Sequence, residues 1–126
     1  MTEDLKNHHK GNTGLARIWS AFFHSLDGFA AAFRHEVAFR QEVLLAALLV
    51  PIALVLPASG TGKAVMVASV VLVLMVELLN SAIEAVTDRV SLDDHILAKR
   101  AKDMGSAAVM LALINVPVAW LLVLFA

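Results

Sequence analysis

Residues 64–89 read "AVMVASVVLVLMVELLNSAIEAVTDR", an apolar run that ends in a series of polar side chains. The run is long and apolar enough to form a membrane-spanning helix. The polar series consists of Glu77, Asn80, Glu84 and Asp88. At 100° per residue, these four positions lie on one helix face about 80° wide, and Glu77 lies about 10 Å deeper along the axis than Glu84. The stretch therefore predicts a spanning helix whose polar face runs from the membrane interior towards water.

The composition of the whole chain favours a membrane protein. Of 126 residues, 60% are hydrophobic and 17% charged, and the mean hydropathy of +0.78 is too high for a soluble domain of this size. A net charge of −1 gives no reason to expect nucleic acid as a partner. The sequence has no cysteine, which excludes disulfides and thiolate chemistry, and its five histidines lack the spacing of zinc ligands.

Three apolar stretches follow a polar start. We predict spans at about 37–58, 64–87 and 104–126, because each comes close to the roughly 20 residues that a bilayer requires. The first span contains Pro51, which membrane helices tolerate when neighbouring groups satisfy the freed carbonyl. Together with the preceding helix, the spans predict a single membrane domain over residues 14–126.

The segment at about 14–34 has a different pattern, with apolar residues at steps of three and four. This periodicity predicts an amphipathic helix. Arg17, His24 and Asp27 make it too polar to span a bilayer, whereas its Trp and Phe residues suit the headgroup boundary. We therefore predict a helix on the membrane surface, with packing on a partner protein as the alternative. Residues 1–13 are predicted to be a disordered tail.

The distribution of Lys and Arg predicts the orientation in the membrane. Five of these residues lie in the segment up to Glu42, one lies between the first two spans, four lie between the last two, and none follows. Cytoplasmic segments carry the excess of positive charge. We therefore expect a cytoplasmic N-terminus, a periplasmic C-terminus and a cytoplasmic end for the polar face.

Carboxylates at membrane depth usually mark function, although they can also join helices or line a solvated helix end. Glutamates near phosphates can hold Mg²⁺, and a deeper carboxylate could accept a proton from a hydroxyl. The segment "AKRAKDMGS", residues 98–106, offers cations for a nucleotide. By contrast, "SGTGK", residues 59–63, lacks the P-loop spacing and suits a tight turn between two spans.

The motifs "EVAFRQE" (36–42), "VELLNSAIEAVTDR" (76–89) and "RAKDMGSAAV" (100–109) together resemble the small integral-membrane diacylglycerol kinases of bacteria. The similarity covers nearly all of the chain from Gly14 onwards. It implies an all-α homotrimer in the bacterial inner membrane, each chain having a surface helix and three spans. It also implies active sites between subunits at the cytoplasmic boundary, with ATP, diacylglycerol and Mg²⁺ as ligands.

The resemblance implies a role for each matching residue. Glu77 matches the catalytic base, and Glu36 and Glu84 match the Mg²⁺ ligands. Asn80 and Asp88 have supporting roles. ATP binding is implied for Arg17, His24, Glu36, Glu84, Asp93, Asp94, His95, Lys102 and Asp103. Binding of the lipid substrate is implied for Arg17, Gln41, Glu42, Glu77, Ser106 and Trp120.

The sequence therefore predicts a lipid kinase that converts diacylglycerol and ATP into phosphatidic acid. The chain departs from the family pattern at two positions that bear on nucleotide packing. His24 stands where the family has an aromatic residue that carries a hydroxyl group, and Thr87 stands where it has an aliphatic residue. An undecaprenol kinase of the same family is the nearest alternative. A small transporter that couples an intramembrane carboxylate to a cation or proton is the alternative from another class, although it would not need the cations of residues 98–106.

Overall fold

The computed structural model describes residues 13–90 and 95–126, and this part of the chain contains four α-helices. They are α1 (Leu15–His35), α2 (Val37–Val55), α3 (Gly60–Val90) and α4 (Ile96–Phe125). α2, α3 and α4 are long and apolar enough to cross a membrane, which confirms the all-helical fold and the three predicted apolar helices. The predicted tail, apart from residue 13, and the predicted nucleotide residues Asp93 and Asp94 lie outside the described residues.

The chain divides after His35 into two compact units, of which the first contains α1. Gly14 precedes α1 with a φ of 61°, a backbone conformation that glycine adopts without steric cost. The rings of Trp19 and Phe23 meet edge to face with centroids 5.4 Å apart, and Phe22 packs against Phe23 at 5.8 Å. All three rings are exposed. This aromatic surface is the one that the sequence assigned to the membrane boundary.

The second unit is a bundle in which α3 packs against both α2 and α4. Small side chains allow membrane helices to approach closely, and the core includes Ala46, Ala53 and Ala112. Met66 fills the centre and is fully buried. Pro51 lies inside α2, as predicted, and a second proline lies inside α4. The larger apolar side chains mostly point outwards, as expected of helices whose solvent is lipid.

The interpretation of the "SGTGK" glycines as turn residues is wrong, because α3 already begins at Gly60. The backbone N–H of Gly62 donates to Ser59 Oγ at 3.0 Å and so caps the helix start. A Cβ at Gly62 would lie 2.7 Å from Val123 Cγ1. Gly62 therefore lets the beginning of α3 approach the end of α4, and the turn is confined to the residues before Gly60.

α4 begins at Ile96, eight residues before the predicted span, so the basic segment is helical rather than a loop. His95 caps it, its Nδ1 accepting a hydrogen bond from the Leu97 N–H at 3.1 Å. Lys99 Nζ donates to Asp103 Oδ2 at 2.7 Å, one turn further along. Alanine and lysine favour helices, and such pairs add support. α4 therefore joins this polar segment and the predicted apolar span in one continuous helix.

Candidate functional site

The polar face predicted for α3 forms as expected, because the helix is continuous from Gly60 to Val90. Exposure rises along this face in the predicted direction. Glu77 is 5% exposed and Asn80 9%, whereas Glu84 is half-buried and Asp88 exposed. The face therefore runs from the interior of the bundle to its surface.

Two carboxylates from α2 and its start join this face. Glu77 lies within electrostatic range of both Glu84 and Glu36, and Glu42 lies within range of Glu77. Glu42 is buried and its Oε2 has no hydrogen-bond partner. Three carboxylates, Glu36, Glu42 and Glu84, thus lie within electrostatic range of Glu77, and we call these four residues the acidic cluster.

Glu36 owes its place in the acidic cluster to a break in the chain. It stands between α1 and α2 with extended backbone angles, φ −113° and ψ 111°. It is the N-cap residue of α2, yet its side chain makes no capping hydrogen bond. Its carboxylate therefore takes no part in capping α2.

Asn80 lies in the contact between α3 and α4, next to Gly105. Its Nδ2 donates a long hydrogen bond of 3.5 Å to Glu84 Oε1, one turn away. Its Oδ1 is buried without a partner and lies against the backbone of Gly105, in the space that a Cβ would occupy. The amide of Asn80 is thus fixed between Glu84 and α4.

The two residues predicted to bind the nucleotide from α4 are both held in ion pairs. Lys102 pairs with Asp88 across the α3–α4 contact, and Asp103 pairs with Lys99 on the same helix. All four side chains are well exposed. Exposed ion pairs are screened by water and contribute little to stability, so a triphosphate can displace them at little cost in free energy.

Trp120 lies on the opposite side of the cluster from these cations. Its Nε1–H is shared between Ser69 Oγ at 3.1 Å and the Met66 carbonyl at 3.3 Å. Ser69 Oγ in turn donates to the Met66 carbonyl at 2.6 Å. These contacts lie about 12 Å from Glu77 along α3. Trp120 therefore joins α3 to α4 in the apolar half of the bundle.

Three further predicted residues of the bundle do not converge on the acidic cluster. Gln41 and Ser106 point to the surface, and the Nδ1 of His95 is engaged in capping α4. Arg17 and His24 belong to α1, in the other unit.

Sequence reasoning missed one position that shapes this site. Gly105 is buried inside α4 at the point of contact with Asn80. Lys99 was among the cations predicted for a nucleotide, but its ion pair with Asp103 was not predicted. An isolated glycine in a helix interior usually has a packing reason, because it destabilises the helix by about 1 kcal/mol relative to alanine. That signal was available in "RAKDMGSAAV", although the partner of Gly105 was not.

The acidic cluster suits a metal shared with a ligand rather than one held by protein alone. Among the residues that the structure describes, no three His, Cys, Asp or Glu side chains converge closely enough to hold an ion. Mg²⁺ is commonly bound by one or two carboxylates together with substrate phosphates. The uncapped Glu36 and the half-buried Glu84 fit that type of site.

The fold and this arrangement define a class: a multi-pass membrane protein with three candidate spans and a carboxylate site that leads from the apolar interior to a cationic surface. Residues 23–124 match the model of the prokaryotic diacylglycerol kinase family. The chain belongs to this family. The transporter alternative is accordingly not retained.

Several curated relatives have the same name as the family, and the similarity covers almost their whole length. The chain is 56% identical to the diacylglycerol kinase of Pseudomonas aeruginosa over 115 residues, which are 91% of this chain and 94% of that protein. It is 46% identical to the diacylglycerol kinase of Escherichia coli K12 over 113 residues, or 90% and 93% of the two chains. The Haemophilus influenzae diacylglycerol kinase is 43% identical over 113 residues, or 90% and 96%.

Proposed function

We propose that the chain transfers the γ-phosphoryl group of ATP to the primary hydroxyl of diacylglycerol, giving phosphatidic acid and ADP. The observation that carries this proposal is the course of the α3 polar face. Its inner end is the buried Glu77, and its outer end is paired with a lysine of α4. The reaction needs a buried end and a charged end on one face, because a lipid hydroxyl must meet a charged nucleotide at the membrane boundary. The name shared by the relatives supports the lipid substrate.

We assign the general base to Glu77. Its carboxylate accepts the proton of the lipid hydroxyl as the hydroxyl oxygen forms a bond to the γ-phosphorus. The bond between that phosphorus and the oxygen bridging to the β-phosphate breaks, and ADP leaves. A general base contributes about 10²–10⁴-fold to such a reaction. Burial favours Glu77 over Glu84 for this role, because Glu77 is the carboxylate of α3 nearest the lipid interior.

Glu36 and Glu84 would hold Mg²⁺ together with the phosphates of ATP. When bound, the ion neutralises charge on the phosphoryl oxygens as the phosphoryl group transfers. Asn80 donates to Glu84 and so orients one of these carboxylates. Glu77 remains separate from the ion in this assignment.

The nucleotide would approach from the outer ends of α3 and α4. Lys102 exchanges Asp88 for a phosphate, and Asp103 can turn from Lys99 towards the nucleotide. A groove of about 420 Å³ lies at the same end of the bundle. Its lining includes Val86, Thr87 and His95. This mainly apolar surface with a few polar groups suits the adenine ring of the nucleotide.

The lipid would enter from the apolar side. A cavity of about 150 Å³ lies between α2, α3 and α4, and Glu42 is its one charged lining residue. The rest of the lining is apolar and includes Leu45, Val73 and Leu113. An acyl chain fits such a surface, while the unpartnered Oε2 of Glu42 can accept a hydrogen bond from the glycerol end.

We further propose that the N-terminus is cytoplasmic, in the bacterial inner membrane, and that three chains assemble with active sites between them. The excess of Lys and Arg before the first span and between the last two supports the orientation. Only 6% of the most apolar stretch of α4 is buried within one chain, against 33% of the corresponding stretch of α3. α4 therefore leaves a large surface for lipid or for neighbouring subunits.

The substrate is tested with purified protein in mixed micelles, labelled ATP and two lipids, diacylglycerol and undecaprenol, offered separately. We expect phosphatidic acid from the first at a rate well above that of undecaprenyl phosphate from the second. A preference for undecaprenol would transfer the proposal to the other branch of the family. If neither lipid becomes labelled, the proposal that the protein is a lipid kinase is refuted.

The division of roles is tested with Glu77→Gln and Glu84→Gln, which differ only in position along the same face. Glu77→Gln should bind Mg-ATP with nearly unchanged affinity while phosphoryl transfer falls by about 10²–10⁴-fold. Glu84→Gln should lose affinity for Mg-ATP as well. Calorimetry in detergent and lipid phosphorylation at saturating diacylglycerol measure the two effects. Equal losses of Mg-ATP binding would place Glu77 among the metal ligands and leave the base unassigned.

A further inference from the structure

Gly105 lies in the interior of α4 and is buried against Asn80. A Cβ built on Gly105 would overlap the Oδ1 of Asn80, and it would lie 3.3 Å from the Asn80 Cγ and 3.9 Å from its Cβ. These are the nearest atoms that a side chain at position 105 would meet. Any side chain there therefore acts on Asn80 first.

The Asn80 amide can avoid such a side chain only by leaving its present position. Asn80 is 9% exposed, and its Oδ1 is fully enclosed without a hydrogen-bond partner. Its Nδ2 faces Glu84 Oε1 at 3.5 Å. An overlap of this size requires the amide to move by about 1 Å before ordinary van der Waals separation is restored. That movement would separate Nδ2 from the Glu84 carboxylate.

We propose that Gly105 is a positioning residue for Mg-ATP, which acts through Asn80 on the Glu84 carboxylate. The inference rests on the proposed function, because it assigns Glu84 to the metal and nucleotide. Gly105 itself contacts neither. The missing side chain leaves the space in which the Asn80 amide lies, and this amide holds Glu84 in the orientation that binds the ion.

This role differs from that of a glycine needed only for packing. Gly62 approaches the side chain of Val123 at the other end of the same helix pair, so a Cβ there would disturb an apolar contact and stability. At Gly105 the obstructing atoms are the end of one polar side chain. The helices can stay in place while the amide turns. Gly105→Ala should therefore affect the reaction more than the fold.

The experiment is a double-mutant cycle of Gly105→Ala and Asn80→Ala, with Gly60→Ala as the matched control. Gly60 opens the first turn of α3, and an added Cβ there meets nothing within 4 Å. Each variant is assayed for lipid phosphorylation over a range of Mg-ATP concentrations, for Mg-ATP binding by calorimetry, and for thermal unfolding in detergent.

Gly105→Ala should lower kcat/KM by about 10-fold to 10²-fold, the effect expected of a 1 Å misplacement, chiefly through a higher KM for Mg-ATP. Its Tm should stay within about 4 °C of the parent, because alanine is a better helix former than glycine. In the Asn80→Ala background the Cβ meets no amide. There Gly105→Ala should cause no further loss of Mg-ATP binding or activity and should raise the Tm.

If the parent protein is an active kinase, three results would overturn the inference. The first is full activity in Gly105→Ala, and the second is that the activity losses of the two single variants add up in the double variant. The third is failure of Gly105→Ala to fold. An inactive parent would instead refute the proposed function. Gly60→Ala should match the parent in activity and Mg-ATP binding, with a Tm equal to or slightly above that of the parent.

Discussion

The hydrogen bonds of Trp120 make Trp120→Phe an informative perturbation. Phenylalanine keeps an aromatic ring between α3 and α4 but removes the N–H that Ser69 Oγ and the Met66 carbonyl share, at 3.1 and 3.3 Å. Ser69 Oγ still donates to the Met66 carbonyl at 2.6 Å, so each of the two oxygens keeps one hydrogen bond, although Ser69 Oγ no longer accepts one from Trp120. The change therefore removes one shared hydrogen bond and a small part of the ring contact.

The expected destabilisation follows from that count. Hydrogen bonds between membrane helices contribute about 0.6 kcal/mol on average and about 1.7 at most. A single N–H shared by two acceptors lies within this range, and the smaller ring adds a fraction of a kcal/mol. We expect the free energy of unfolding to fall by about 1–2 kcal/mol. In a cycle with Ser69→Ala, the coupling energy should be about 0.5–1 kcal/mol.

The assay is reversible unfolding of the detergent-solubilised protein, combined with the KM for diacylglycerol. Trp19→Phe is the control, because the only other tryptophan is 66% exposed in α1. If Trp120 joins helices, Trp120→Phe destabilises the bundle and the KM for diacylglycerol changes by less than about threefold. Unchanged stability with a KM raised by about tenfold or more would refute this reasoning. That result would instead support direct contact of the indole with the lipid substrate.

Two further predictions concern the metal and the orientation. Glu36→Gln keeps the size of the side chain but removes the charge that Mg²⁺ requires. Kinase activity should collapse at ordinary Mg²⁺ concentrations, while thermal unfolding in detergent is unchanged. Full activity would exclude Glu36 as a ligand. The sequence contains no cysteine, so a cysteine added after Ala126 can be labelled specifically. It should react with a membrane-impermeant reagent applied to cells whose outer membrane is permeable, because three spans that start in the cytoplasm end outside. Protection from that reagent would contradict the predicted orientation.

The helices of this protein were predictable because their causes are local. Continuous apolar composition predicted α2, α3 and α4, and the periodicity of three and four predicted α1. The same local rules placed Glu77, Asn80, Glu84 and Asp88 on one face, which the continuous α3 confirms. Prediction failed at helix ends, where capping by Ser59 and His95 extended α3 and α4 beyond their apolar parts.

The contacts between helices were decided by the tertiary structure. Sequence reasoning alone placed Glu42 near the site only through family resemblance, whereas packing of α2 on α3 brings it within range of Glu77. It gave Gly105 no role, because the atom that fills the space beside it belongs to Asn80, 25 residues earlier in the chain. It could not pair Trp120 with Ser69, which is separated from it by 51 residues. Periodicity determines which side of a helix a residue occupies, but rotation and depth relative to another helix depend on how all their side chains pack together.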